Sequence, residues 1–264
     1  MRLSPSDFSV RKKNNQKITM VTCYDYTFAC LINDSGVDCV LVGDSCADVV
    51  YGAETTISAT VSMMAAHTRA VHRGLPDKFL IGDMPFLSCR QGRNYGVRAA
   101  GRLIAAGADA VKIEGADGTT DFIACLVQSG IPVMGHLGLT PQFYHAFGGY
   151  KIQGRSDDAA AKLTADAKNL QQAGCFAVVA ECVPAETAQS MAAAIDIPLI
   201  GIGAGAAVDG QVLVLHDLLG LTAFRPKFVR HYLDGAELVK KAVNAYCADT
   251  ENGMFPAAEE SFTR

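Results

Sequence analysis

The sequence predicts a closed (β/α)8 barrel, read as one catalytic domain over residues 1–264. Three observations predict it. Apolar runs of strand length alternate with stretches of helical spacing, at intervals of roughly 20–45 residues, which is the repeat of a βα unit. Several helical stretches stop at a glycine, at Gly36, Gly74, Gly107, Gly130 and Gly174, the usual left-handed end of a helix. Five of the strand runs end on an ionisable residue: Asp44, Asp83, Glu114, His136 and Glu181. Polar strand ends spread around the whole series favour closure, because an open doubly wound sheet concentrates its site at one switch point.

In order, the runs at 18–23, 38–43, 79–83, 109–114, 132–136, 176–181 and 197–202 are read as strands. They are buried parallel strands, being apolar throughout instead of alternating. An eighth strand is placed at 212–216. Helical spacing fills 26–35, 60–73, 93–106, 119–129, 157–173 and 185–194. After about residue 217 the pattern loosens into a loop at Arg225-Pro226-Lys227 and a terminal helix over 228–247. The tail, 251–264, is expected to be mobile or partly ordered.

Composition narrows the function classes. Half of the residues are hydrophobic and 19% are charged, enough for a large core. A net charge of −4 argues against a nucleic-acid surface. The nine cysteines are odd in number, form no CxxC pair and sit mostly in apolar stretches, so a disulfide framework is not expected and the chain reads as cytoplasmic. Residues 1–17 lack the apolar core of a signal peptide, and no run is long enough to span a membrane.

Asp44, Asp83 and Glu114 would repel one another at one barrel mouth unless a cation compensates them. With no Cys/His cluster at hand, a hard divalent ion, Mg²⁺, is the natural choice. Singly, each acid serves equally well as a cap for the helix that follows it. Lys112 lies two residues before Glu114 and so shares its face of the strand, suited to a substrate carboxylate or carbonyl oxygen. His136, between Gly135 and Leu137-Gly138, is either a core histidine or a site residue. Glu181 has no cationic neighbour in sequence and suits a general base. Gly201-Ile202-Gly203-Ala204-Gly205 is either a phosphate loop or a tight turn beside a ligand.

Taken together these motifs resemble the ketopantoate hydroxymethyltransferase family. The pieces are Thr22-Cys23-Tyr24-Asp25, Val42-Gly43-Asp44-Ser45, Gly82-Asp83-Met84-Pro85-Phe86 and Val111-Lys112-Ile113-Glu114-Gly115. They continue through Gly135-His136-Leu137-Gly138-Leu139-Thr140-Pro141-Gln142, Phe147-Gly148-Gly149-Tyr150, Glu181-Cys182-Val183-Pro184 and Pro226-Lys227-Phe228-Val229. The resemblance implies a TIM barrel of the phosphoenolpyruvate mutase/isocitrate lyase-like type. It also implies hydroxymethyl transfer from 5,10-methylenetetrahydrofolate to 3-methyl-2-oxobutanoate, giving 2-dehydropantoate for pantothenate synthesis. Mg²⁺ and a homo-oligomer, often a decamer, come with it. It implies Asp44, Asp83 and Glu114 as metal-site acids, Asp44, Ser45, Asp83 and Lys112 as keto-acid contacts, and Glu181 and His136 as catalytic residues.

One departure stands beside the acids. The family usually continues Gly-Asp-Ser with Leu-Gly-Met, whereas this chain has Cys46-Ala47-Asp48. Ala47 adds a Cβ where glycine allows a positive φ. Asp48 adds a charge that is expected to turn outward, paired with a basic group. A Mg²⁺-dependent C–C lyase or mutase acting on another 2-oxo acid, or a weakened paralogue, is the alternative reading.

Overall fold

The structure is a computed structural model that describes residues 2–223 and 225–263; Met1, Phe224 and Arg264, which fall within the stretches read above, lie outside it. The chain divides into two compact units, residues 1–214 and 215–264.

The first unit holds eight parallel strands: β1 (Ile18–Thr22), β2 (Cys39–Val42), β3 (Phe79–Asp83), β4 (Ala110–Glu114), β5 (Val133–Gly138), β6 (Ala177–Glu181), β7 (Leu199–Ile202) and β8 (Gly210–Leu213). They pair in sequence order, and β8 returns to β1 through Ile18↔Gly210 and Met20↔Val212, closing the barrel. Connecting helices are α2 (Tyr26–Asn33), the short α3 (Cys46–Val49), α4 (Val61–Gly74), α5 (Arg93–Ala105), α6 (Thr120–Gln128), the short α7 (Tyr144–Phe147), α8 (Asp157–Gln172) and α9 (Ala185–Ala193), after an amino-terminal α1 (Pro5–Lys13). Thr60 and Ser156 accept hydrogen bonds from the first-turn amides of α4 and α8, and Asp25 does the same for α2.

The seven clear strands stand where the apolar runs place them, shifted by no more than two residues at either end. The eighth begins two residues early, at Gly210, and Leu215 already opens the next helix. The apolar run Val212-Leu213-Val214-Leu215 hides this, since two of its members belong to the strand and the last to a helix. Of the glycine stops, Gly107, Gly130 and Gly174 are left-handed, whereas Gly36 and Gly74 are not. Gly74 is the last residue of α4, and a Cβ there would come 2.7 Å from the Tyr26 carbonyl oxygen, so it is small for packing against α2.

Helix α1 was not legible in the sequence. Its amino end carries Pro5 and an Asp7 carboxylate that accepts from the Ser4 amide at 2.7 Å. Phe8 is fully buried and meets Phe79, at the start of β3, and Phe176, just before β6, edge-to-face at 5.3 and 4.9 Å between ring centres. These rings close the amino-terminal end of the barrel. Above them Met20, Leu41, Ile81, Met134, Val179, Ile200 and Val212 fill the interior. The carboxyl-terminal ends are therefore left as the polar mouth.

The second unit holds α10 (Leu215–Leu218) and α11 (Gly235–Glu251). Residues 228–234, read above as the start of the terminal helix, are irregular, with a turn at Phe228 and a bend at Tyr232-Leu233, and the helix starts after Asp234. On α11, Leu238, Val239, Val243 and Tyr246 are all more than half exposed.

Candidate active site

Inward positions alternate along each strand, so Asp83 closes β3, Lys112 and Glu114 share one face of β4, and His136 sits on β5. The strand register brings them together: Asp83 is level with Lys112, and Glu114 with His136. With Asp44, just past β2, these residues are buried.

Lys112 Nζ lies 2.8 Å from Asp83 Oδ2, 3.2 Å from His136 Nδ1 and 3.7 Å from Glu114 Oε1. The Asp44 amide donates to Asp83 Oδ2 at 3.1 Å. Gln142 ties the acids together: its side-chain amide donates to Asp44 Oδ2 at 2.8 Å and to the Met84 carbonyl, and its backbone amide donates to Glu114 Oε2 at 3.1 Å. Ser45 and Tyr24 share a hydroxyl hydrogen bond of 2.8 Å.

His136 joins two carboxylates. Nδ1 stands 3.2 Å from Glu114 Oε1, and Nε2 stands 3.2 Å from Glu181 Oε2. Glu181, isolated in sequence, thus has an imidazole partner in space. Gly138 permits the approach of β5 to β6 here: it has φ +89°, and a Cβ on it would come 2.3 Å from the Glu181 carbonyl oxygen. That oxygen accepts from the Leu139 amide at 2.8 Å. Cys182, directly after Glu181, holds the unusual φ of 47°, a strained turn at the strand end.

The electrostatics follow from burial opposed by neighbours. Burial pushes the Asp44 carboxyl well above its ordinary range, and the Asp83 and Glu114 charges add to this. Burial also raises Asp83, although Lys112 opposes it. For Glu114 burial acts upward, but His136 and Lys112 outweigh it and hold the carboxyl low. Burial would discharge Lys112, yet Asp83, Glu114 and Asp44 raise it and keep it an ammonium. Burial and Lys112 act downward on His136, and its glutamate partners lift it above the ordinary histidine value.

The donor set suits a hard cation. Asp83 Oδ1 is buried without a hydrogen-bond partner, and Asp44 lies beside it. Among the described residues no three His, Cys, Asp or Glu side chains form a ready-made metal cluster. Two adjacent carboxylates, one with a buried oxygen free of hydrogen bonds, are a donor set that a hard ion such as Mg²⁺, which usually keeps several waters, can use. Glu114, the third acid of the expected set, has Oε2 engaged by Gln142 and Oε1 turned to Lys112 and His136.

Tyr24 and Gln142 lie within the quoted motifs, but sequence reasoning gave them no role. The only signal was Pro141, which opens the short 3-10 turn presenting Gln142. The departure at residues 46–48 reads differently in space. Ala47 is helical in α3 and fully buried, so its Cβ is accommodated without a left-handed backbone. Asp48 does not turn outward to a basic group: it is half-buried, Oδ1 is enclosed without a hydrogen-bond partner, and burial pushes its carboxyl up to about 6. A four-residue helix whose preceding residues are buried draws it inward. Gly203 and Gly205 turn the chain between β7 and β8, and Gly205 packs on Ala185.

Two kinds of likeness accompany this geometry. In fold, the chain is similar to phosphonopyruvate hydrolase, at TM-score 0.64 and 11% identity over 100% of this chain and 92% of the other. It is also similar to 2,3-dimethylmalate lyase, a member of the PEP mutase/isocitrate lyase superfamily, at TM-score 0.62 and 16% identity over 99% and 93%. In sequence, it is 54% identical to 3-methyl-2-oxobutanoate hydroxymethyltransferase of Coxiella burnetii over 97% of each chain. The enzymes of that name from Legionella pneumophila and Bdellovibrio bacteriovorus are 53% and 51% identical over 97% of this chain and 98% of theirs. With residues 2–258 matched by the model for ketopantoate hydroxymethyltransferase, the chain belongs to that family.

Proposed function

We propose that the chain transfers a hydroxymethyl group from 5,10-methylenetetrahydrofolate to 3-methyl-2-oxobutanoate, making 2-dehydropantoate for pantothenate synthesis. The net reaction consumes one water and releases tetrahydrofolate. The observation that carries this reading is the buried cluster itself, where Lys112 is flanked by Asp83 and Glu114 and His136 reaches Glu181. The cluster couples an anion-holding cation to a positioned base, as removal of a proton beside a keto group requires.

Asp44 and Asp83 would hold Mg²⁺, with Glu114 beside them in the same cluster. With all four carboxylates ionised and Lys112 and His136 protonated, the cluster would carry an excess of two negative charges, which a divalent ion would neutralise and so favour the ionised form of Asp44. The ion, when bound, would supply a Lewis acid that stabilises the developing enolate. Lys112 and Ser45 hold the substrate carboxylate, with the Tyr24 hydroxyl orienting Ser45 and Asp44 and Asp83 lining the same pocket. Glu181 takes the C3 proton, and His136 orients Glu181 through Oε2. The resulting enolate attacks the methylene carbon delivered by the folate; water adds to that carbon before or after the attack, its two C–N bonds break, and the freed nitrogens take up protons as tetrahydrofolate leaves.

The stripe Leu238, Val239, Val243 and Tyr246 on α11 supports a homo-oligomer, because exposed apolar stripes of this kind are covered by partners. Nine free cysteines support a reducing, cytoplasmic setting. Among the described residues no helix is long and apolar enough to cross a membrane. The test is incubation of purified protein with the keto acid, methylenetetrahydrofolate and Mg²⁺. Formation of 2-dehydropantoate is expected; its absence with all three present contradicts the reading.

A further inference from the structure

The loops that follow β3 and β4 line an open cleft of about 320 Å³ that the acid cluster does not use. Arg90 and Arg93 line it, beside Gly118, Asp121 and Phe122. Both arginines are exposed, and among the described residues neither has a carboxylate partner. Asp121 is the one acid in the lining, while Asp117 nearby is paired with Lys162 at 3.0 Å. The lining includes the first turns of α5 and α6, whose amino-terminal ends favour anions.

Arg90 connects this cleft to the active site. Its Nη2 donates to the Asp117 carbonyl at 3.0 Å, and its guanidinium lies over the Phe143 ring, 5.6 Å from the ring centre. Phe143 directly follows Gln142, which binds Asp44 and Glu114. On the other side, a Cβ at Gly115, directly after Glu114, would stand 3.6 Å from Arg90 Nη2, and one at Gly118 would stand 3.2 Å from Nη1. The guanidinium is therefore held in place one residue from the acid cluster along two separate segments, with donors left over.

We propose that this cleft binds the glutamate carboxylates of the folate co-substrate, with Arg90 and Arg93 as the specificity-determining residues; the proposal rests on the folate reading above. A guanidinium fork matches a carboxylate bidentately, and a folate carries two carboxylates at the end opposite its one-carbon unit. The aromatic shelf of Phe143, stacked on Phe147 at 6.0 Å, offers a surface for the ring between those two ends.

The test compares 5,10-methylenetetrahydrofolate with 5,10-methylenetetrahydropteroate, which lacks the glutamate, in wild type and in the Arg90→Ala/Arg93→Ala variant. Wild type should show a KM about tenfold lower for the glutamate-bearing co-substrate, and the variant should lose that preference with kcat little changed. Arg90→Lys/Arg93→Lys should recover part of the preference, since it keeps the charge without the fork. Deuterium exchange at C3 of the keto acid, measured without folate on the same preparations, reports an intact barrel. An equal KM ratio in wild type and a variant that still exchanges C3 overturns this proposal alone. A wild type that exchanges C3 but turns over neither folate overturns the folate reading with it.

Discussion

His136 Nε2 stands 3.2 Å from Glu181 Oε2, and its other ring nitrogen faces Glu114 at the same distance. A buried imidazole thus bridges an acid held low by its neighbours and the residue assigned as base. Both glutamates favour the charged form of the ring, in agreement with its raised pKa.

This bridge predicts a pH dependence of stability. The folded pKa of His136 lies above its unfolded value of about 6.5, so the folded state binds the proton more tightly. The stabilisation is complete below about pH 6.5 and is lost as pH rises through the folded pKa. His136→Gln should remove that component of the slope in urea denaturation of metal-free protein. An identical slope in the variant contradicts the bridge.

Lys112 offsets the charge of Asp83 and Glu114 in a buried setting. Lys112→Met should cost about 3–5 kcal/mol, because it leaves buried carboxylates without their cation. Added Mg²⁺ should restore part of the loss by binding the folded state. Unchanged stability, or a loss that Mg²⁺ does not affect, argues against a shared cation site at Asp44 and Asp83.

Asp48 gives a prediction of the opposite kind. Its carboxyl is raised from 3.8 to about 6, so across that window the folded protein keeps a proton that the unfolded chain has released. Stability contributed at this site therefore falls as pH rises from about 4 to 6. Asp48→Asn should be more stable than wild type at pH 7, by about 1 kcal/mol once solvent screening of this half-exposed group is allowed for, and equal to it near pH 3.5. A constant difference at both pH values would mean that packing, and not the enclosed charge, sets the effect.

The barrel was readable because buried parallel strands leave an unbroken apolar signature and polar residues interrupt it at one end only. Val42-Gly43-Asp44 and Ile113-Glu114 show this directly. The signal failed where residues from two elements ran together, as at Val212 to Leu215, and where helical spacing occurred without a helix, as at Phe228, Val229, Tyr232 and Leu233. Helix α1 escaped because only Phe8 of its nine residues is fully buried, and one aromatic residue makes no period. Within the site, strand parity placed Lys112 beside Glu114. Contacts between distant segments could not be read: Gln142 meets Asp44 across 98 residues, and His136 meets Glu181 through two adjacent strands. Asp48 misled because burial of its carboxylate depends on the packing of Cys46 and Ala47, which sequence polarity does not reveal.

The central claim is that the cluster removes the C3 proton of the keto acid and that Glu181 accepts it. Solvent deuterium exchange at C3 of 3-methyl-2-oxobutanoate, with Mg²⁺ and without folate, tests this most directly, since it isolates proton removal from one-carbon transfer. Wild type should exchange, and Glu181→Gln, which keeps the shape but cannot take the proton, should exchange about 10²–10⁴-fold more slowly. Exchange in Glu181→Gln at the wild-type rate would contradict the account.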